Sequence, residues 1–310
     1  TSDGVAVLGG AWDAARFATI DAAQKATAYD LTSVDDLPSG ASLAPADPNA
    51  LFIVPAAGKI AKNEVVRKSD YSGYASANIQ FSDLYDDGAS IHDVCTAISP
   101  ITATSPALQR TFSTSGIYFT TVVPFDVATL PSAAKAYVLT SSVKGSVTVL
   151  KFTEVKSLTK GTPYLIYTTS ASANFAASGE TDIYFTTPSV MFDGGLFKGT
   201  YTTLSGTTAD DGIYILKKES ASPVLYQSVG GIVPAFRSYV QMSSGGNAKS
   251  LNIEFDDAMG IHPATDDVIG SLLNVYSIDG RAVKNNVRVG AAISLPAGIY
   301  IVNGKKVVIK

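Results

Sequence analysis

The chain has 310 residues, enough for two or three domains of ordinary size, and its 46% hydrophobic content supplies a sizeable core. Charged residues are only 16% and the formal net charge is −4, so the surface is polar but weakly charged. That balance carries no basic stripe to neutralise phosphates and argues against a nucleic-acid partner.

In chain order, the first part is the least regular. The opening "TSDG" lacks methionine, which reads as a processed or trimmed amino terminus, any export signal already gone. "WDAARFATIDAA" predicts a short helix over Asp13 to Ala23, with Phe17 and Ile20 as its apolar side. "TAYDL" reads as a strand and "VDDLP" as a turn. The spacing Phe17, Ile20, Tyr29, Leu31, Val34, Leu37 resembles one turn of a leucine-rich repeat, such as a capping end of a longer array. "PNALFIVPA" is a short buried strand bounded by prolines. These features define an N-terminal α/β module over residues 1–110.

From about Thr111 strand follows strand: "GIYFTTVVPFDV", "AYVLTSSVKGSVTVLKFTEV", "TPYLIYTT", "DIYFTT", "GIYILKK", "PVLYQSV", "AFRSYVQM" and "SLNIEF". Short strands with regular turns predict a β-sandwich over 111–257. Gly-Ile-Tyr recurs at 116–118, 212–214 and 298–300 and reads as the start of a strand after a glycine turn. "FDDAMGIHPATDDVIG" lacks a period, and within it residues 258–267 form the linker. Two hairpin signals close the chain, Asp279-Gly280 in "NVYSIDGRAV" and Asn303-Gly304 in "LPAGIYIVNGKKVVIK". A two-residue turn at the second sets Val302 opposite Lys305, Ile301 opposite Lys306 and Tyr300 opposite Val307. Residues 268–310 are therefore a small four-stranded β module. The fold class is mainly β.

The residues that carry chemistry elsewhere are sparse. Two histidines, His92 and His262, cannot build a multi-histidine metal site, and "SIHDVC" places His92 near a Cys95 that reads as an inert buried thiol. One cysteine precludes an intrachain disulfide. No nucleophile elbow, zinc-binding helix motif, phosphate-cradling glycine loop or Cys-x-x-Cys pair occurs. No cofactor or metal is expected, and no apolar run is long enough for a membrane-spanning helix. Asp-Asp pairs at 35–36, 86–87, 210–211, 256–257 and 266–267 read as solvated turns. "DLYDDG" at 83–88 offers oxygens to calcium but lacks the closing glutamate of an EF-hand, so its acids too read as solvated turn residues. For glycan contact by ring stacking, Tyr71 and Tyr74 in the polar loop "SDYSGYAS" are the candidates. Trp12, beside the helix start, reads equally as packing.

"VYSIDGRAV" followed by "LPAGIYIVNGKKVVIK" resembles the carboxy-terminal sorting domain of type IX secretion in exported surface proteins of Bacteroidota. The matching residues are Val275, Asp279, Gly280, Arg281, Val283, Gly298, Tyr300, Asn303, Gly304, Lys305, Lys306 and Lys310. "VVPFDV", "KGTPYLIY" and "FRSYV" are similar to β-rich modules of leucine-rich-repeat, adhesin-like surface proteins. The resemblance departs from a full sorting domain, which is longer and is removed on arrival at the surface. What it implies is an extracellular or outer-membrane surface location and recognition by export machinery through the C-terminal module. The expected protein is non-enzymatic, adhesin-like or structural. A carbohydrate-binding or glycan-hydrolase accessory module is the alternative, and a self-assembling filament subunit the second. Expected partners beyond the export machinery are a surface glycan, a protein ligand or further copies of the chain.

Overall fold

The computed structural model describes residues 4–84, 93–144, 148–186, 189–217, 221–243, 248–256, 272–277, 281–288, 298–302 and 305–309. It is mainly β, with one α-helix among the described residues. The chain divides into two compact units, Thr1–Ala258 and Met259–Lys310.

The first unit opens with strand β1 (Val5–Ala11), helix α1 (Ala14–Gln24), β2 (Ala28–Asp35), β3 (Leu51–Val54) and β4 (Glu64–Arg67). The Asp13 carboxylate caps α1 by accepting from the Ala15 and Arg16 amides, and Lys25 ends it in the left-handed region. Helix and strand thus fall where the sequence places them. All four strands run parallel in neighbouring positions. Val5 pairs with Ala28 and Ala28 with Leu51, a step of 23 residues each time. A coil of that length lies within the leucine-rich-repeat range.

Polar side chains close the bends between these coils. Asn63 accepts from the Gln80 amide and donates to the Pro48 carbonyl, while Asn78 accepts from the Glu64 amide and donates to that of Ile60. Asn49 accepts from the Ser82 amide. The buried Glu64 carboxylate accepts from the amides of Gly58, Lys59 and Ile60 at 2.6–2.7 Å. Without these bonds the bends would bury unpaired backbone groups.

The sheet continues through β5 (Tyr74–Ser76) and, after β6 (Gln80–Leu84), through β7 (Ile101–Thr104). Next come β8 (Ala107–Thr111), β9 (Ile117–Val122), β10 (Ala134–Val143), β11 (Val149–Val155), β12 (Pro163–Thr168), β13 (Ser172–Ala176) and β14 (Glu180–Ile183). Strand β14 completes a seven-stranded sheet of order β1-β2-β3-β4-β5-β7-β14, and β13-β8-β6 form a three-stranded sheet. The remaining strands of this unit are β15 (Ser189–Phe192), β16 (Gly195–Thr200), β17 (Leu204–Ser205), β18 (Ile213–Leu216), β19 (Val224–Gln227), β20 (Ile232–Val233), β21 (Arg237–Met242) and β22 (Ser250–Asp256). Six of them join β9, β10, β11 and β12 in a ten-stranded sheet, β15-β16-β21-β18-β19-β22-β11-β10-β12-β9, and the other two form a β17-β20 pair. The Gly-Ile-Tyr triplets do stand at strand starts, at β9 and β18, with Gly116 and Gly212 in the left-handed region that a side chain resists.

Side-chain alternation decides where each face goes. On one face of the parallel strands Ala6, Leu8, Tyr29, Leu31, Phe52 and Val54 pack with Phe17 of α1, and Tyr29 stacks on Phe52 at 5.7 Å. On the other, Ala28, Leu51, Ile53 and Val65 join a core reaching Phe125, Ile166, Phe175 and Phe236. The sequence divisions 1–110 and 111–257 therefore share one hydrophobic core, and strand β8 runs through the position that separates them.

Within the second unit, β23 (Leu272–Ser277), β24 (Ala282–Arg288), β25 (Gly298–Val302) and β26 (Lys305–Ile309) form a four-stranded sheet of order β24-β23-β25-β26. The terminal hairpin has the register expected of a two-residue turn, with Val302 opposite Lys305 and Tyr300 opposite Val307. The β23–β24 pairing is less regular. It carries two register shifts, and the Ser277 amide donates to the Arg281 carbonyl. The 258–267 linker lies outside the described residues.

Candidate functional site

Strands β4, β5, β7 and β14 bring their ends together on one side of the seven-stranded sheet. Arg67 pairs with Tyr74, Tyr74 with Ile101 and Ile101 with Ile183, so these residues form one row across four strands. The segments that leave this row are the 68–73 turn, the Ser99–Pro100 segment and the stretch from Tyr184 onward. A cleft of about 440 Å³ lies here, lined by residues including Thr96, Ser99, Pro100, Lys160, Asp182 and Tyr184. Its size falls within the range of ligand pockets.

Each wall is held by its own contacts. The Tyr184 amide donates to the Pro124 carbonyl at 2.6 Å, and the Lys160 amide to the Asp126 carboxylate at 2.7 Å. Asp182 accepts from the Thr102 hydroxyl at 2.9 Å, and Lys68 Nζ reaches the same hydroxyl at 2.8 Å. Gly73 rests against Pro100 so closely that a Cβ would stand 2.5 Å from its carbonyl oxygen. That contact, together with a φ of +151°, ties the turn to the cleft wall.

Of the two tyrosines singled out in the sequence, Tyr71 stands in the turn with 74% of its surface exposed. The Arg67 guanidinium lies 4.9 Å from its ring centre. Tyr74 is not in a loop: it occupies strand β5, half-buried against the core. Hydrogen bonding to Ser72 lowers the Asp70 pKa. Tyr184, 38% exposed and with Lys160 Nζ 5.9 Å from its ring centre, carries no distinctive sequence signal. "DIYFTT" reads only as a strand. In the structure Ile183 is buried and Tyr184 after it faces outward.

Two buried polar clusters lie elsewhere. In the first, Asp83 bridges Arg110 and Arg237; Arg110 is fully buried and Asp83 2% exposed. Arg110 Nε is 2.7 Å from the carboxylate, poorly aligned as a hydrogen bond, and its guanidinium lies 4.5 Å from the Phe119 ring centre. The first acid of "DLYDDG" is thus an interior counter-ion and not a solvated turn residue; the rest of that stretch lies outside the described residues. In the second, Asp47 is 4% exposed, and its Oδ2 has no hydrogen-bond partner among the described residues. Burial pushes its pKa up to about 8, helped by the Asp93 and Asp21 carboxylates, and burial lowers that of the nearby Lys62. Tyr29, raised first by burial, donates to Asp21. Neither cluster opens onto the cleft lining, and among the described residues no group of three His, Cys, Asp or Glu side chains could hold a metal ion. Cys95 is buried in the core, as its sequence context suggests, and His92 lies outside the described residues.

In the C-terminal unit Tyr300 is buried and Arg281 exposed. Gly298 opens β25, and Lys305 and Lys306 open β26 directly after the turn. Asp279, Gly280, Asn303, Gly304 and Lys310 lie outside the described residues. Among the described residues no helix is long and apolar enough to cross a membrane. No family model, curated protein or solved structure matches the chain.

Proposed function

We propose that the chain is a non-enzymatic secreted or cell-surface protein, an adhesin-like or structural module with a C-terminal export and anchoring signal. The observation that carries this reading is the separate compactness of residues 259–310. That unit holds its own four-stranded sheet, ending in the hairpin whose residues resemble a sorting domain. A sheet that pairs its own four strands within this unit supports a module that machinery reads on its own. Lys305, Lys306 and Lys310 are the charges offered for recognition.

The test is to place residues 259–310 behind a fluorescent protein carrying a signal peptide, in a Bacteroidota host with and without a working type IX system. Fluorescence at the surface or in the medium, dependent on that system and reduced by K305A/K306A/K310A, is the expected result. Retention in the periplasm in both hosts overturns the reading.

Glycan binding is the second reading, favoured by the exposed Tyr71 and by the cleft at the same end of the sheet. In that case the first unit is a carbohydrate-binding or hydrolase accessory module, displayed by the same C-terminal signal.

A further inference from the structure

Four strand ends gather two exposed tyrosines on one side of the seven-stranded sheet, a juxtaposition that sequence order conceals. Tyr71 belongs to the turn between β4 and β5, and Tyr184 follows β14 directly. Three inter-strand steps separate β4 from β14, about 14 Å at the usual strand spacing. Between them lies the Ser99–Pro100 segment and the cleft.

The chemistry of this strip is consistent along its length. At either end stands a phenol ring whose neighbouring cation, Arg67 or Lys160, braces it. The cleft lining beside Tyr184 includes Thr96, Ser99 and Asp182, whose Oδ1 is already oriented by the Thr102 hydroxyl. The charges nearly cancel, with Arg67, Lys68 and Lys160 set against Asp70 and Asp182. A strongly charged ligand therefore finds no matching field. A ligand suited to the strip has flat C–H faces for the rings, hydroxyls for the carboxylate and hydroxyl groups, little charge, and length enough to reach both ends.

We propose that this end of the sheet binds a short neutral oligosaccharide, stacked on Tyr71 and Tyr184 with its hydroxyls taken by Asp182, Ser99 and Thr96. The inference rests on the reading of the chain as a surface-displayed binding module and names its ligand class. The site is largely built before binding: Gly73 locks the turn to Pro100, Lys68 and Thr102 hold Asp182, and the Pro124 carbonyl holds the Tyr184 backbone. Little ordering entropy then remains to oppose a ligand that gains only modest contacts.

The experiment uses the purified 310-residue chain, with saturation-transfer NMR followed by calorimetry. Probes are maltotriose, cellotriose, xylotriose, mannotriose and chitotriose, the corresponding monosaccharides, and trigalacturonate as an acidic control. At least one neutral trisaccharide is expected to bind, and its monosaccharide to bind much more weakly. Tyr71→Ala and Tyr184→Ala each weaken the affinity about tenfold, as loss of an aromatic anchor does. Tyr71→Phe and Tyr184→Phe, which keep the ring, retain most of it. Both tyrosines are exposed, so the variants fold. Absence of saturation transfer from every neutral trisaccharide at millimolar concentration overturns the proposal. So does binding unchanged in both alanine variants, or a preference for trigalacturonate. Because the assay involves no export step, its failure leaves the sorting role of the C-terminal unit standing.

Discussion

Replacing Asp47 with asparagine should stabilise the protein by an amount that grows with pH. Asp47 Oδ1 accepts from the Asn49 amide at 2.8 Å, while Oδ2 is buried with no hydrogen-bond partner among the described residues. Asparagine keeps the acceptor and removes the ionisable group. Burial is the main reason that the native carboxyl titrates near 8 instead of 3.8, and Asp93 and Asp21 add to it; the cation near it is Lys62. Below pH 4 the carboxyl is protonated in both folded and unfolded chains, so its ionisation contributes no difference. Between roughly pH 4 and pH 8 the unfolded chain has released this proton and the folded chain still holds it. The unfolded state then binds fewer protons, and wild-type stability falls as pH rises, with a ceiling of about 1.4 kcal/mol per pH unit. Above pH 8 both forms are ionised and the loss is complete. For a unit of this size the ceiling corresponds to about 3–6 °C per pH unit. Thermal melts of wild type and D47N from pH 4 to pH 9, plotted as a difference in Tm, isolate this group with the neighbours coupled to it (Lys62, Asp93 and Asp21), because more distant titrations are shared. A difference that widens in favour of D47N up to about pH 8 and then levels off is expected. A flat difference, or one that shrinks as pH rises, would refute the argument that burial holds this carboxyl protonated.

Other substitutions test other parts of the first unit. Asp83→Asn leaves Arg110 and Arg237 without their shared counter-ion in the interior and should cost about 3–5 kcal/mol in urea unfolding; a loss below about 1 kcal/mol would mean that water or other groups compensate. Gly199→Ala sets a methyl 2.7–2.9 Å from three atoms of the stiff Val122 side chain and should cost about 1–3 kcal/mol. Val122→Ala removes Cγ1 and Cγ2 but keeps Cβ, so a double-mutant cycle should show part of that loss recovered; no coupling between the two changes would mean that the clash is not its cause.

Local patterns carried much of the fold into view, and long-range pairing carried the rest. The α1 cap at Asp13, the buried β3 run and the terminal Asn303-Gly304 register were legible because propensity, capping and turn chemistry act within a few residues. The boundary placed at residue 110 did not survive. Parallel strands buried on both faces display no alternation to show that their second face needs a partner. That partner comes from Phe125, Ile166, Phe175 and Phe236. Asp83 looked like a turn acid because a buried ion cluster depends on Arg110 and Arg237, far along the chain. Tyr71 was visible as an aromatic in a polar stretch. Tyr184 was not, since only the β7–β14 pairing brings it to the same end of the sheet.

Strand β11, residues 149–155, pairs in parallel with β22, residues 250–256, near the middle of the ten-stranded sheet. Between synthesis of the first and of the second the ribosome adds about a hundred residues, several seconds of elongation. Throughout that interval β11 has one of its two neighbours, β10, and an open edge where β22 belongs. The sheet therefore closes only after its last strand has emerged, which makes folding late and slow. Until then the uncovered edge of β11 is an unpaired template on which another molecule's strand can add.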